Sequence, residues 1–403
     1  MQQPLQTGIK ILTQAMPRGP VLSWSNFSAR KRPPFRSVED LPYKQLTTSG
    51  RSAIYQALMQ LGLSPGNVVL LPSYHCPTMV APVLLAQGRV EYFGITTQGL
   101  PNLGQIPLEL AKKAVAMLVP HYFGLAKSLA EVRKWCDAHE ISLIEDCAHS
   151  FFGEAGERQI GAWGDFSCAS LTKFFPVPEG GLLASNSRQL HSVELQPQTL
   201  GKQVKGGLDV LHVSTQHQRL FGLNTLIEAF FKIKNSVKRQ SNKDAQSRVA
   251  SKPDFMVDCD MTRITKKPLL ITNFIGRILP KSYIVARRRE NFKKYASILN
   301  SHNKSMLMVV DFPDACAPYV FPFFVEKDPD GVYQNLRVAG YPVFRWDRIW
   351  PGTPTLEGDL GPIWSRHVLQ LLCHQDLSDA DIGKTANAVL HLLEDQGRTG
   401  QVI

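Results

Sequence analysis

The stretch ISLIEDCAHSFFGEAGERQIGAWGDFSCASLTKFFPVPEGG, residues 141–181, decides the fold. Ile141, Leu143 and Ile144 form a short apolar run of the kind that builds a strand buried on both faces of a parallel sheet, and Asp146 ends it. A second strand is expected over Phe166–Leu171, followed at once by Lys173, and a third over Leu182–Ala184 beyond the glycine pair Gly180 and Gly181. Sheets of this class bind ligands at the C-terminal ends of their strands, so the spacing predicts a carboxylate and an amine at one edge. A lysine brought there loses solvation, which lowers its pKa and makes the amine nucleophilic.

That pair has a specific use in pyridoxal phosphate chemistry. A lysine holds the aldehyde as a Schiff base, and a carboxylate keeps the pyridine nitrogen protonated so that the ring acts as an electron sink. Read singly, Asp146 is a helix cap and Lys173 a solvated loop lysine; their order and spacing favour the site. Four pieces, I-E-D-C-A-H at 144–149, G-x-x-G-D at 161–165, S-L-T-K at 170–173 and E-G-G at 179–181, resemble the DegT/DnrJ/EryC1/StrS family of fold-type I aminotransferases, best known for acting on keto-sugar nucleotides. The resemblance implies an α/β fold of the fold-type I PLP-transferase kind. Its large domain carries a mostly parallel seven-stranded sheet flanked by helices, and a smaller α+β C-terminal domain follows.

Working towards the N-terminus, TTSGRSAIYQALMQLGL at 47–63 places cap residues and Gly50 before Ile54, Ala57, Leu58 and Leu61 at helical spacing. The free amides of such a helix start form an anion site. In the resembling family this turn cradles the cofactor phosphate, which assigns Gly50, Arg51 and Ser52 to it; the bland reading is an ordinary capped helix. Strands are expected at Val68–Leu71, Val90–Phe93 and Ala114–Val119, and an amphipathic helix at Leu129–His139. The family lays an aromatic ring against the pyridine from the position that Cys76 occupies here, so Tyr74 or His75 is left to stack, with His75 the choice. The resemblance also assigns His149 to the cofactor's phenolic oxygen and Ser170 to its phosphate. His121, Tyr122 and Gly124 match the family's P-x-H-x-Y-G turn only in part, since Phe123 stands where tyrosine is common.

Towards the C-terminus the likeness fades after Asn186. One helix is expected at Leu223–Ile233, and the basic stretch Lys234–Lys252 reads as a solvated loop before it reads as an amphipathic element on a membrane or an acidic partner. MTRITKKPLLITNFIGRI reads as helical and SYIVARRRENFKKYASIL as a long basic helix, with Arg287 to Arg289 on a solvated face. A strand in APYVFPFFVE, a helix in GVYQNLRVAGY and the loop PVFRWDRIWP resemble the family's small domain, which makes Arg345 and Trp346 the substrate-facing candidates. LSDADIGKTANAVLHLLED closes the chain as a capped helix.

The 403 residues suffice for two domains: an N-terminal arm over 1–40, a large cofactor-binding domain over 41–255 with a divergent basic insertion at 187–255, and linking helices with a small domain over 256–403. Hydrophobic content of 43% and charged content of 20% exclude wholesale disorder. The net charge of +11 suits a phosphorylated cofactor and a nucleotide-linked substrate, and no recognition motif accompanies it to favour nucleic acid. Seven cysteines without a C-x-x-C pair argue against a zinc site and a disulfide framework and for reduced thiols in the cytoplasm. No run approaches the length of a membrane span. The expectation is an aminotransferase with pyridoxal 5′-phosphate on Lys173, facing Asp146, that moves an amino group from a donor such as glutamate to a keto-sugar nucleotide or similar ketone. A homodimer is implied by the resemblance, and no metal is expected. The alternative is a catalytically inactive relative that kept the fold for a regulatory or structural role.

Overall fold

The computed structural model describes residues 9–27, 35–241, 255–302 and 316–399. The first half of the chain alternates strand and helix: β1 (Tyr43–Thr47), α1 (Gly50–Gln60), β2 (Val68–Pro72), α2 (Pro77–Leu85), β3 (Arg89–Phe93), α3 (Leu108–Ala111), β4 (Ala114–Pro120), α4 (Ala130–Ala138) and β5 (Ser142–Asp146). A small hairpin, β6 (Glu154–Ala155) and β7 (Arg158–Gln159), leads to β8 (Phe166–Ser170) and β9 (Gly181–Ser185). Seven of these strands form one sheet in the order β1-β9-β8-β5-β4-β2-β3. Only β9 runs against its neighbours, pairing antiparallel with both β1 and β8. Strands β2, β4, β5 and β8 are buried at nearly every position, as expected for a sheet covered on both faces.

The register collects the functional edge. Pro120 pairs with Asp146 and Asp146 with Cys168, so β4 and β5 end level and β8 runs two residues further, to Ser170, at the same edge. Because β9 is reversed, Gly181 at its start stands opposite both Ser170 and Thr47. The end of β1, and hence the start of α1, is thereby drawn to the same edge. Ser49 caps α1 by accepting the Ser52 amide, and Ala53, Ile54, Ala57 and Leu58 form its buried face. Gly181 is a steric requirement, since a Cβ there would stand 2.2 Å from the backbone of Ser49.

The second half is more helical: α5 (Leu200–Gln216), α6 (Asn224–Ser241), α7 (Phe255–Cys259), α8 (Leu270–Ile278) and α9 (Lys281–Leu299). Then follow β10 (Val320–Phe324), α10 (Pro329–Val338), β11 (Val343–Phe344), α11 (Gly361–His367), β12 (Val368–Leu372) and α12 (Asp379–Thr399). Strands β10, β12 and β11 make a separate antiparallel sheet in that order. It meets the large sheet at the turn after β4, where the Tyr319 amide donates to the Phe123 carbonyl at 2.8 Å. Gly124, with φ +83°, permits the approach, because a Cβ there would lie 2.2 Å from the Tyr319 nitrogen. The N-terminal segment packs along this second unit, with Leu12 and Met16 amides donating to the Ala339 and Gly340 carbonyls.

Three sequence expectations change. Helix α5 was not anticipated, because Gly201, Gly206 and Gly207 dilute its helical signal. Gly206 is needed there, as a Cβ would stand 2.4 Å from Leu269. Helix α6 continues to Ser241, so the first part of the presumed loop Lys234–Lys252 is helical, while 242–254 lies outside the described residues. The single helix expected from Met261 is broken into a short turn at Met261–Arg263 and α8, with Pro268 in the gap.

Gly181→Ala is expected to lower unfolding stability by about 2–4 kcal/mol, since backbone must move to admit the methyl group. Gly207→Ala, in α5 with open space around it, is expected to raise stability by up to about 1 kcal/mol. Urea denaturation of the two variants beside the parent checks both signs.

Candidate active site

The strand ends, the start of α1 and loops from the second unit enclose a cavity of about 400 Å³. Asp146 and Lys173 both line it. Burial is the dominant influence on each: it raises the Asp146 carboxyl and lowers the Lys173 ammonium, and the opposite charge of the other residue partly reverses both shifts. The Asp146 Oδ1 accepts the Ala148 amide at 2.8 Å, which fixes the carboxylate at the end of β5. The Lys173 amine stands 5.3 Å from the centre of the Tyr319 ring. Amine and acid therefore share one cavity, and each influences the other's ionisation.

Beside them the first turn of α1 faces the cavity through Gly50 and Arg51. The Ser52 amide is taken by the Ser49 hydroxyl and the Ala53 amide by the Ser49 carbonyl. The Gly50 and Arg51 amides are the first two of the helix and remain for an anion. Ser170 and Thr172, their hydroxyls 3.1 Å apart, line the same corner. A Cβ on Gly50 would stand in ordinary contact with that of Ser170, at 3.4 Å, so the helix start lies directly against the end of β8. Arg51 adds a guanidinium whose Nε donates to the Asp260 carbonyl at 3.3 Å. Ser52 is brought near but not into the cavity; its hydroxyl lies beneath the turn, between those of Thr48 and Ser49.

His149 lines the cavity, its ring 4.4 Å from Tyr319 and 4.8 Å from Trp346. Burial and the nearby Lys173 charge push its pKa well below the usual value, so the ring is neutral. Its Nδ1 accepts the Phe123 amide at 3.3 Å, which leaves the proton on Nε2 as a donor. Trp346 also lines the cavity. Arg345 does too, but its guanidinium is held by Asp330 at 2.6 Å, by Asp347 at 3.1 Å and by the Arg366 carbonyl at 3.2 Å.

One assignment is corrected. His75 is fully buried away from the cavity: Nδ1 donates to the Pro72 carbonyl at 2.9 Å, Nε2 accepts the Trp350 amide at 3.0 Å, and the ring stacks on Tyr92 at 5.2 Å. Burial lowers its pKa to about 4, so it is a neutral brace. Tyr74 is buried among Tyr122, Trp346 and Trp364. Among the surfaces that do line the cavity are Cys76, Ala148, Tyr319, Phe344 and Trp346. The sequence could not show this, because Trp350 and Tyr92 reach His75 only in the folded chain.

Several contributors were missed. Glu145, next to Asp146, is wholly buried and accepts His121 Nε2 at 2.9 Å and the amides of Gly161, Trp163 and Gly164 at 2.8–3.1 Å. Burial alone would raise its pKa, but His121 and these amides hold it below the usual carboxylate range. The G-x-x-G-D motif is thus a loop wrapped around the carboxylate beside the site. Arg288, expected on a solvated face, is fully buried; it donates to the Lys173 carbonyl at 2.6 Å, the Pro318 carbonyl at 3.2 Å and Gln375 at 3.0 Å. Arg263 enters the cavity wall paired with Glu179 of the E-G-G motif at 2.5 Å. Gln370 of β12 lines the cavity with its Oε1 buried and unpartnered among the described residues.

The fold is that of the fold-type I pyridoxal phosphate transferases. The likeness is seen in an aminotransferase of the DegT, DnrJ, EryC1, StrS kind from Brucella abortus (TM-score 0.57, 18% identity, 87% of this chain and 86% of that one). It is seen again in Helicobacter pylori PseC, an aminotransferase of pseudaminic acid biosynthesis (TM-score 0.59, 15% identity, 88% of each chain). Residues 43–229, just under half of the chain, match the model of the DegT/DnrJ/EryC1/StrS aminotransferase family, the family that the motifs resemble. A GDP-perosamine synthase of Vibrio cholerae is 25% identical over 181 residues, 44% of this chain and 49% of that protein. Protein MosB of Rhizobium meliloti is 31% identical over 155 residues, 37% of this chain and 30% of that protein. The chain spans half or less of the length of these curated relatives.

Glu145→Ala strands His121 and three amides without an acceptor and is expected to cost about 3–5 kcal/mol. Because the folded-state pKa of Glu145 is depressed, its contribution is complete above the unfolded carboxylate value and is lost as pH falls through the lower folded one. Urea midpoints measured from neutral to acidic pH should therefore fall more steeply in the parent than in Glu145→Gln.

Proposed function

We propose that the protein is a pyridoxal 5′-phosphate-dependent aminotransferase acting on a keto-sugar nucleotide or a similar ketone. The observation that carries this reading is the placement of Lys173, Asp146 and the α1 anion cradle around a single cavity. The residues fit the cofactor. Lys173 offers an amine of lowered pKa to its aldehyde, and Asp146 a buried carboxylate to its ring nitrogen. The Gly50 and Arg51 amides, the Arg51 guanidinium and Ser170 offer donors to its phosphate, and His149 Nε2 a donor to its phenolic oxygen. The bound cofactor would supply an electron sink for the carbanion that forms when an amino acid loses its α-proton.

The chain's own residues account for the rest. Lys173, neutral more readily than a solvated lysine, removes the proton at the donor's α-carbon and returns one when the amino group passes to the ketone. Asp146 keeps a compensating negative charge where positive charge must persist. Arg288, bonded to the Lys173 carbonyl, fixes the backbone from which the amine swings. Tyr319, Phe344 and Trp346 shield the amine from bulk water and give a ring-shaped acceptor flat surfaces to lie on. Gln370 lines the cavity, and its Oε1 has no donor among the described residues, which leaves it free for an acceptor hydroxyl should the side chain turn outward. Arg345 turns towards the acceptor only if one of its acid partners yields.

A nucleotide-linked acceptor is supported by the relatives' names, which include GDP-perosamine synthase and a UDP-N-acetyl-3-dehydro-glucosamine aminotransferase. Glutamate is the proposed donor and a homodimer the proposed assembly, both on the family resemblance. A cytoplasmic location is supported by seven free thiols, six of them buried.

The purified protein mixed with pyridoxal 5′-phosphate is expected to acquire visible absorption, and borohydride should fix the cofactor to the peptide bearing Lys173. Glutamate should then bleach that absorption. Lys173→Ala is expected to abolish the fixation and slow the bleaching by about 10²–10⁴-fold. Fixation at another lysine would overturn the assignment, and a bound cofactor that ignores every amino donor would favour the inactive relative.

A further inference from the structure

The N-terminal segment carries Arg18 to the wall of the Lys173 cavity and is pinned on both sides of it. Before Arg18, the Met16 amide donates to the Gly340 carbonyl at 3.1 Å, and Nε2 of the buried His374 donates to the Pro17 carbonyl at 2.9 Å. After it, the Val21 amide donates at 3.2 Å to the buried Asp376 carboxylate, which also accepts Asn26 Nδ2 at 2.9 Å. Burial lowers the His374 pKa to about 3, so the ring is a neutral donor, and its Nδ1 accepts the Asp376 amide at 3.3 Å. None of these groups lines the cavity. What they fix is the place of one guanidinium.

That guanidinium lies 4.4 Å over the ring of Phe344, which lines the cavity, with Nη2 3.5 Å from the Val343 carbonyl. Arg337 of α10 donates from Nη1 to the Tyr333 hydroxyl at 3.0 Å, and the Arg345 guanidinium lies 4.8 Å from the centre of the same Tyr333 ring. Three guanidiniums thus gather around two rings. The carboxylates beside them, Asp330 and Asp347, are both bonded to Arg345. Arg18 and Arg337 are exposed and have no acid partner among the described residues. Burial and then the Arg337 charge lower the Arg18 pKa, as expected of like charges brought together. Cations gathered in this way without a counter-charge offer a site to an anion. Their position selects the anion. A carboxylate on the reacting carbon must lie inside the cavity with Lys173, whereas Arg18 and Arg337 stand outside it, past Phe344. A diphosphate joined to the acceptor through its sugar ring lies away from the reacting carbon and presents oxygens to two guanidiniums at once. We propose that Arg18 and Arg337 bind the diphosphate of a nucleotide-linked acceptor at the rim of the Lys173 cavity. The assignment rests on the aminotransferase reading and gives the N-terminal segment a part in substrate recognition.

The test is calorimetric titration of the full chain, loaded with pyridoxal 5′-phosphate so that the α1 cradle is filled, with inorganic pyrophosphate, UDP and GDP. The parent is expected to bind pyrophosphate and at least one of the nucleotides, more weakly as salt is raised. Arg18→Gln and Arg337→Gln should each weaken that binding by about tenfold or more, with melting temperature and cofactor absorption unchanged. Arg18→Lys should recover part of the loss. Lys134→Gln, which removes an exposed charge from α4, should bind as the parent does. No binding by the parent, binding that both arginine variants retain, or an equal loss in Lys134→Gln overturns the proposal. Slower bleaching by glutamate in the arginine variants, with pyrophosphate binding intact, would give the pair to the amino donor and overturn it too. If no cofactor absorption appears, the aminotransferase reading falls, and the same titrations of the unloaded protein still decide whether the two arginines hold a diphosphate.

Discussion

An amine and a carboxylate kept out of bulk water around one cavity are the constraint on which the rest of the structure depends. Burial works against the charge on both Lys173 and Asp146, and each would drift to its neutral form if it stood alone. Together they hold a balance in which the acid stays available as a counter-charge and the amine gives up its proton more easily than one in water. That balance requires both strand ends to stop at the same edge, which the shared register of β4, β5 and β8 achieves.

Around this pair the protein spends much of its buried polarity on holding backbone in place. The loop 161–164 closes on Glu145 with three amides, so the residue next to Asp146 cannot rotate. Arg288 reaches from α9 to the carbonyl of Lys173 and also to Pro318, just before Tyr319, tying the lysine to the second unit. Gly181 and Gly124 admit backbone where a side chain would keep it out, the first joining α1 to the sheet and the second joining the two units. The cavity is thus built from pieces distant in sequence whose only shared property is that they brace positions 146 and 173.

The sequence disclosed the parts of this that are local. Continuous apolar runs marked the buried strands, helical spacing marked α1, α4 and α9, and the motifs between 141 and 181 carried the acid, the amine and His149 in the right order. It failed where a residue's role is set by a distant partner. His75 resembles a stacking ring until Trp350 and Tyr92 are seen to occupy it. Arg288 sits in a run of three arginines that reads as a solvated face, and only the folded chain surrounds it with carbonyls at 173 and 318. Arg345 looks free until Asp330 and Asp347 are placed beside it. Helix α5 is hidden by three glycines, of which Gly206 is required by the approach of Leu269.

The most direct measurement is the pH dependence of acetylation at Lys173, followed by mass spectrometry of its peptide in the parent and in Asp146→Asn. The account predicts a half-point below that of ordinary surface lysines. It predicts a further drop when the carboxylate is removed, because that charge is what holds the ammonium form in place. A half-point at the usual lysine value, unmoved by the substitution, would contradict it.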